Sequence, residues 1–270
     1  MATVVLIRGL MRDKRHWKDF TNLLQQSLSD RHRVIALDTL GNGYLVNSLS
    51  PLRIDEYAKE LLERLNYDSN YDKTYQRNSD KSENYYLVGL SMGGMIALQM
   101  VSLQERAVGL ESDKRIKAVA VINASAANLS PWYERFKLNA LCLAFKHRLK
   151  GANISALEAS IIALTSSTQL HNMDLARRWS QYRIATRTRL TNGLRQLWAC
   201  SQYMSPAKLS VPITVLSGRE DKLVSPDCSK KLAQYYQSKL IEFHRAGHDL
   251  SLDCPEKLCQ ELIESFSLNS

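Results

Sequence analysis

The sequence predicts an α/β protein, a mostly parallel sheet flanked by helices and interrupted by one inserted helical segment. Three observations predict it. Short β-branched apolar runs alternate with longer stretches of helical period. Those runs are apolar on both faces, as strands buried between helix layers must be. The alternation breaks once, between Asn123 and Pro212, where the chain reads as helical almost throughout.

Taken in order, Thr3–Ile7 is the first buried strand, and it runs into a turn at Arg8-Gly9-Leu10. Trp17, Phe20, Leu23, Leu24 and Leu28 then recur at helical spacing. Val34–Leu37 is a second strand, followed by Asp38-Thr39-Leu40-Gly41-Asn42-Gly43, whose glycines mark a tight loop. Ile54, Tyr57, Ala58, Leu61, Leu62 and Leu65 form one face of a helix, with charged residues on the other. Residues 66–84 are polar and aperiodic, and are expected to form a surface insertion on the face opposite the site. Further strands are expected at Tyr85–Val88, Ile116–Asn123, Pro212–Leu216 and Lys239–Phe243. A helix carrying Leu232, Ala233 and Tyr236 precedes the last strand, and a terminal helix starts near Pro255. The domain reading is a core of residues 1–125 and 211–270, with a basic helical lid at 126–210.

Composition narrows the function classes. The 270 residues suffice for a full core. No uncharged apolar run of 18 residues exists, and the start carries no cationic stretch ahead of an apolar one, so neither a spanning helix nor a signal peptide is expected. Five cysteines with no CxxC pair point to free thiols, and with the missing leader to a cytoplasmic protein. The segment 126–210 holds twelve Lys and Arg against three acids, which is the whole net charge of +9. The 24 basic and 24 acidic residues elsewhere cancel. Such a patch is open to nucleic acid on charge alone, but the chemistry below favours an anionic substrate or an acidic partner, with no nucleic acid.

That chemistry begins at Gly89-Leu90-Ser91-Met92-Gly93, a G-x-S-x-G sequence between an apolar strand and an apolar helix. A sharp strand-to-helix turn there lifts a serine hydroxyl clear of the sheet. A serine nucleophile needs a base, and the base needs an orienting acid. Of six histidines, only His248 lies in a glycine-marked loop directly after the final strand. His16 is placed either near the site or packed on the first helix. Asp221 ends the preceding strand's loop; Glu220 and Asp249 are its rivals, and a turn cap is its structural alternative. Backbone amides of Leu10 and Met92 are the expected oxyanion donors. The glycines after Asp38 do not fit a dinucleotide fingerprint, which belongs between the first strand and its helix. No metal or organic cofactor is expected.

These features together resemble the α/β-hydrolase superfamily over nearly the whole chain. The order serine, acid, histidine is met by Ser91, Asp221 and His248, the last two 27 residues apart. Within it the chain is similar to small carboxylesterases such as pimeloyl-carrier-protein methyl esterase and its relatives. Gly89 to Gly94 is also similar to the menaquinone-pathway synthase of this fold. The resemblance implies a serine hydrolase that cleaves carboxylic esters through an acyl-enzyme. A thioesterase or lyase using the same residues, or a silent binding protein with a basic lid, is the alternative. It also implies that the lid overhangs Ser91, so that its charge would suit an anionic acyl ester or an acidic carrier protein; a solvated helix face is the other reading. Trp132, Phe136, Leu141, Phe145, Trp179 and Trp198 would line the pocket or pack the lid. Family members usually carry His-Gly after the first strand, where this chain has Arg8-Gly9. Arg8 would bind a substrate carboxylate, pair with a nearby acid or face solvent.

Overall fold

A computed structural model of the chain describes residues 2–67, 84–107, 115–137 and 153–268. Six parallel strands form one sheet: β1 (Ala2–Ile7), β2 (His32–Leu37), β3 (Asn84–Leu90), β4 (Ile116–Ile122), β5 (Ile213–Gly218) and β6 (Lys239–Phe243). Their order is β2-β1-β3-β4-β5-β6, so the strand leading to Ser91 lies inside the sheet and β6 is an edge. All six expected strands are present, within a few residues of their expected ends.

Successive strand residues face opposite sides of a sheet, and both sides here are covered. Val5, Ile7, Leu87, Val119, Val121 and Val215 share one cluster with α2 (Ile54–Tyr67), α3 (Met92–Arg106) and α8 (Pro226–Tyr236). Val4, Leu6, Val88, Ala120, Ile122 and Leu216 meet α1 (Lys18–Ser27) and α9 (Pro255–Ser265) on the other face. The apolar period of α2 explains its fit, since Ile54, Tyr57, Ala58, Leu61 and Leu65 are all buried. The helix continues to Tyr67 and β3 opens at Asn84, so both ends of the expected polar insertion belong to regular elements. Its residues 68–83 lie outside the described residues. Asn84 stands at the opposite end of β3 from Ser91, on the side where that insertion was expected.

Between β4 and β5 the chain forms α4 (Trp132–Arg135), α5 (Ile154–Thr165), α6 (Met173–Ala185) and α7 (Leu190–Gln202). Leu141 and Phe145 lie outside the described residues. Asn153 caps α5 through the Ser155 amide, and Asn172 caps α6 through that of Leu175. Polar contacts fasten these helices to the core. Glu158 of α5 is fully buried and meets Arg12 at 2.8 Å and Arg183 of α6 through its other oxygen. Burial pushes the Glu158 carboxyl up, but the two guanidinium groups more than offset this and hold it below its ordinary range. The Arg12 guanidinium also lies over the Trp179 ring, 4.7 Å from its centroid and within the roughly 6 Å reach of a cation–π contact. On α7 the buried face carries amides. Gln196 accepts from the Met11 amide at 2.9 Å and donates to Asn42 and Ser50 at 3.1 Å each. Asn192 accepts from the Ser50 amide at 2.9 Å.

Several basic residues of this segment have partners within the chain, some buried and some at the surface. Arg177 pairs with Asp174, Arg178 with Asp19, Arg189 with the Asn47 amide oxygen and Arg195 with the Ser50 carbonyl. Arg135 donates to the Cys200 and Ser201 carbonyls, at 2.5 and 2.9 Å. Glu158→Gln removes the charge between two largely buried arginines and should lower stability by about 3 kcal/mol. A urea midpoint equal to that of the parent would contradict this account of the joint.

Candidate active site

Ser91 follows β3 directly and caps α3, with φ 57° and ψ −119°. A positive φ at a serine is strained by roughly 1–3 kcal/mol and persists only where its surroundings impose it. Here the Ser91 amide donates to the Ile122 carbonyl at 2.8 Å, and the Ser91 carbonyl accepts from Gly94 at 2.9 Å. The turn also needs close backbones. A Cβ on Gly93 would stand 2.1 Å from the Ile7 carbonyl oxygen, so no side chain fits there. Parallel register pairs Ile7 with Gly89, which carries the next turn of β1 alongside the serine. A Cβ on Gly9 would lie 3.0 Å from Ser91 Cβ and 3.5 Å from its Oγ. The first-strand turn therefore borders the hydroxyl. Met11 in that turn has φ 55°, and its amide is taken by Gln196, leaving Leu10 before it and Met92 after Ser91 without a hydrogen-bond acceptor among the described residues.

The structure brings Asp221 and His248 together. Asp221 Oδ2 lies 2.7 Å from His248 Nδ1, and both residues are buried. With Nδ1–H donating to the carboxylate, Nε2 is the free acceptor of the ring. The other oxygen, Oδ1, accepts from the Leu223 and Val224 amides at 2.7 and 3.0 Å. Asp221 thus caps its own turn and orients the histidine at once, one oxygen for each task. Of its rivals, Glu220 is exposed and Asp249 is engaged elsewhere. Lys137, at the start of the inserted segment, donates to the Asp221 carbonyl at 2.6 Å.

His248 follows edge strand β6, three places along the sheet from β3. At about 4.8 Å per strand the loop must return roughly 14 Å toward the serine. Gly218 lets it pass, since a Cβ there would stand 2.0 Å from the Gly247 carbonyl oxygen. Asn123 then holds it. Its Nδ2 donates to the carbonyls of Gly247 and His248 at 3.2 and 2.8 Å, while its Oδ1 accepts from the Gly218 amide at 2.9 Å. Asp253 accepts from the Gly247 amide at 2.6 Å and also binds the amides of Ser167 and Thr168. Asn123, Asp253 and Lys137 were not singled out in the sequence. Only Asn123 carries a local signal, an asparagine ending a strand just before the insertion, and it adopts φ 48°, which asparagine tolerates.

Other sequence candidates lie elsewhere. Arg8 is buried and paired with Asp249 at 2.5 Å, so the expectation that it binds a substrate carboxylate gives way to its ion-pair alternative. Trp132 is 63% exposed and meets only Tyr133 edge-on among described rings. Phe136 packs on the core beneath the Arg135 guanidinium. Trp179 of α6 is buried against α5 and also borders a small cavity with His16, Phe20 and Tyr182, while Trp198 is exposed. His16 packs edge-on against Trp179 and Tyr182 at the core–insert joint. The described cysteines, Cys200, Cys228, Cys254 and Cys259, are free thiols. Among the described residues no group of three His, Cys, Asp or Glu is arranged to hold a metal ion, and no helix is long and apolar enough to cross a membrane.

With this fold and geometry in place, comparison with known proteins gives the class. Residues 4–261 match the Alpha/beta hydrolase family, and the chain belongs to it. None of the curated proteins compared with it matches. An esterase from Exiguobacterium antarcticum superposes with a TM-score of 0.74 at 16% identity, covering 99% of this chain and 92% of that one. A thermophilic esterase from Thermogutta terrifontis gives 0.68 at 20% identity, over 100% and 91%. A meta-cleavage product hydrolase from Pseudomonas fluorescens IP01 gives 0.71 at 17% identity, over 100% and 92%. At these identities the likeness is one of fold. The matches support the family and do not single out pimeloyl-carrier-protein methyl esterase.

Burial, and then the Arg12 charge, lower the His16 pKa to about 4. Arg12 Nη1 lies 3.2 Å from Nε2, while Nδ1 stands 3.2 Å from the Asp13 amide nitrogen and 3.1 Å from the Asp13 carbonyl. The unfolded chain protonates this ring near pH 6.5 and the folded one only near 4. Stability should therefore fall as pH drops through that window, by about 3 kcal/mol from this residue. Urea midpoints at pH 7 and 4.5 should differ less in His16→Gln than in the parent; equal differences would remove His16 from the account.

Proposed function

We propose that this protein is a serine hydrolase that cleaves carboxylic esters through an acyl-enzyme on Ser91. The observation that carries the proposal is the buried Asp221–His248 hydrogen bond of 2.7 Å, returned across the sheet toward a serine at positive φ. The imidazole so oriented offers Nε2 as a base. In the reaction it takes the Ser91 proton as Oγ attacks the ester carbonyl, then delivers that proton to the leaving alcohol. Water, deprotonated by the same nitrogen, attacks the acyl-serine and releases the acid. Asp221 holds the tautomer and stabilises the imidazolium without taking the proton itself.

The negative oxygen of each tetrahedral intermediate needs donors already in place. The Leu10 and Met92 amides are suited to this, being the backbone groups that flank Ser91 without other acceptors. Losing one such donor costs roughly 3 kcal/mol of transition-state stabilisation. The strained serine backbone serves the same end, since it fixes where the oxyanion forms. In the basic segment Arg135, Arg183 and Arg195 are engaged by partners within the chain, which lessens its appeal to an anionic acyl group or an acidic carrier, while Arg177 and Arg178 stay at the surface.

Ser91→Ala should fold like the parent and lose turnover of a short p-nitrophenyl ester by at least about 1,000-fold. Parent and variant hydrolysing the ester equally would end the proposal. Turnover of an anionic ester should fall with added salt more than that of a neutral one if the basic segment meets substrate. Equal responses would assign its charge wholly to packing.

A further inference from the structure

The ion pair between Arg8 and Asp249 has a placement that stability alone does not explain. Arg8 ends the run of β1 and stands two residues before Leu10; Asp249 directly follows His248. Strands β1 and β6 are four places apart in the sheet, on either side of the strand that carries Ser91. The pair therefore joins the turn that borders Ser91 to the loop that carries His248. Arg8 Nη2 meets Asp249 Oδ2 at 2.5 Å and Nη1 lies 3.4 Å from Oδ1. Ser251 Oγ donates to Oδ1 at 2.6 Å, and the Trp17 ring lies 4.6 Å beneath the guanidinium. Both residues are at most 3% exposed.

Such a pair is a poor way to gain stability. Removing two charges from water costs several kcal/mol, and apolar side chains of like volume often serve as well or better. Arg8 Nε is buried with no hydrogen-bond partner, so the guanidinium is not even fully satisfied. Its geometry is instead directional. Two nitrogens facing two oxygens fix the Asp249 side chain in place and in angle, and the backbone of His248 is one bond away.

We propose that Arg8 and Asp249 act as a positioning pair, setting the His248 imidazole against the turn that carries the Leu10 amide. The proposal rests on the serine hydrolase reading above and deepens it. Where the family resemblance leads one to expect histidine before the glycine, this chain has an arginine long enough to bond the residue that follows His248. The pair touches no substrate. Its effect is on how well the base and the oxyanion donors agree in place, and a displacement of about 1 Å at such a site slows chemistry on the order of 100-fold.

The test compares three proteins: the parent, Asp249→Asn, and the double variant Arg8→Met with Asp249→Leu. The double variant replaces both charges by apolar groups, so the pair is lost without leaving one charge buried. Each is treated with a short alkyl fluorophosphonate, and the rate of Ser91 phosphonylation is followed by mass spectrometry, beside kcat and KM for a p-nitrophenyl ester. Both variants should keep a cooperative urea transition. Their phosphonylation rate and kcat should fall roughly 10- to 100-fold, with KM nearly unchanged. A folded variant of either kind that labels Ser91 as fast as the parent overturns the positioning role. Failure of the parent itself to label would instead overturn the serine hydrolase reading, so the two failures are distinct.

Discussion

The arrangement depends on returning a loop from the sheet's edge to its middle. His248 leaves the end of β6, but the hydroxyl it would serve stands after β3. A loop crossing two strand ends exposes its own peptide groups and has nothing in its sequence to hold it down. The structure answers with a ring of polar anchors: Asn123 on two carbonyls, Asp253 on the Gly247 amide, the Thr165 carbonyl on the Asp249 amide and Arg8 on the Asp249 carboxylate. Each hydrogen bond contributes only about 1 kcal/mol net. Together they leave the loop one place to be, and that place sets Nδ1 against Asp221.

The same anchors tie the site to the inserted helices. Asp253 grips both the histidine loop and the residues that end α5, and Lys137 grips the acid's backbone. Glu158 joins α5 and α6 to the turn after β1, and Gln196 joins α7 to the next amide of that turn. The histidine loop, the Asp221 loop and the turn after β1 are thus held from the insert as well as from the sheet. A strained serine requires such surroundings, because a softer frame would relax it toward ordinary backbone angles.

Much of this was legible in the sequence, and the division has a physical basis. Strands buried on both faces announce themselves by composition, and amphipathic helices such as Ile54–Tyr67 by period, because these patterns are local. The positions of Ser91, Asp221 and His248 were readable for a related reason: each stands at the end of a recognisable strand, and a parallel sheet places all such ends along one edge. What could not be read depends on partners distant in sequence. Arg8 and Asp249 are 241 residues apart, and nothing near either foretells the other. The charge of the insert was visible, but its use in bonds to Glu158, Asp19 and backbone carbonyls was not. Trp179 was open to either pocket lining or lid packing, and its packing against α5 depends on partners the sequence does not name. Net charge and aromatic content say how much of a group is present, and only packing says where it points.

In the proposed function one hydroxyl, one imidazole and two amides converge on a single reacting centre. The most direct measurement is a crystal structure of the protein after reaction with a short alkyl fluorophosphonate. Phosphorus should be bonded to Ser91 Oγ, with the phosphoryl oxygen about 2.7–3.1 Å from both the Leu10 and Met92 nitrogens and His248 Nε2 within hydrogen-bond reach of the adduct. An adduct on another residue, or a phosphoryl oxygen turned away from both amides, would contradict the proposed function.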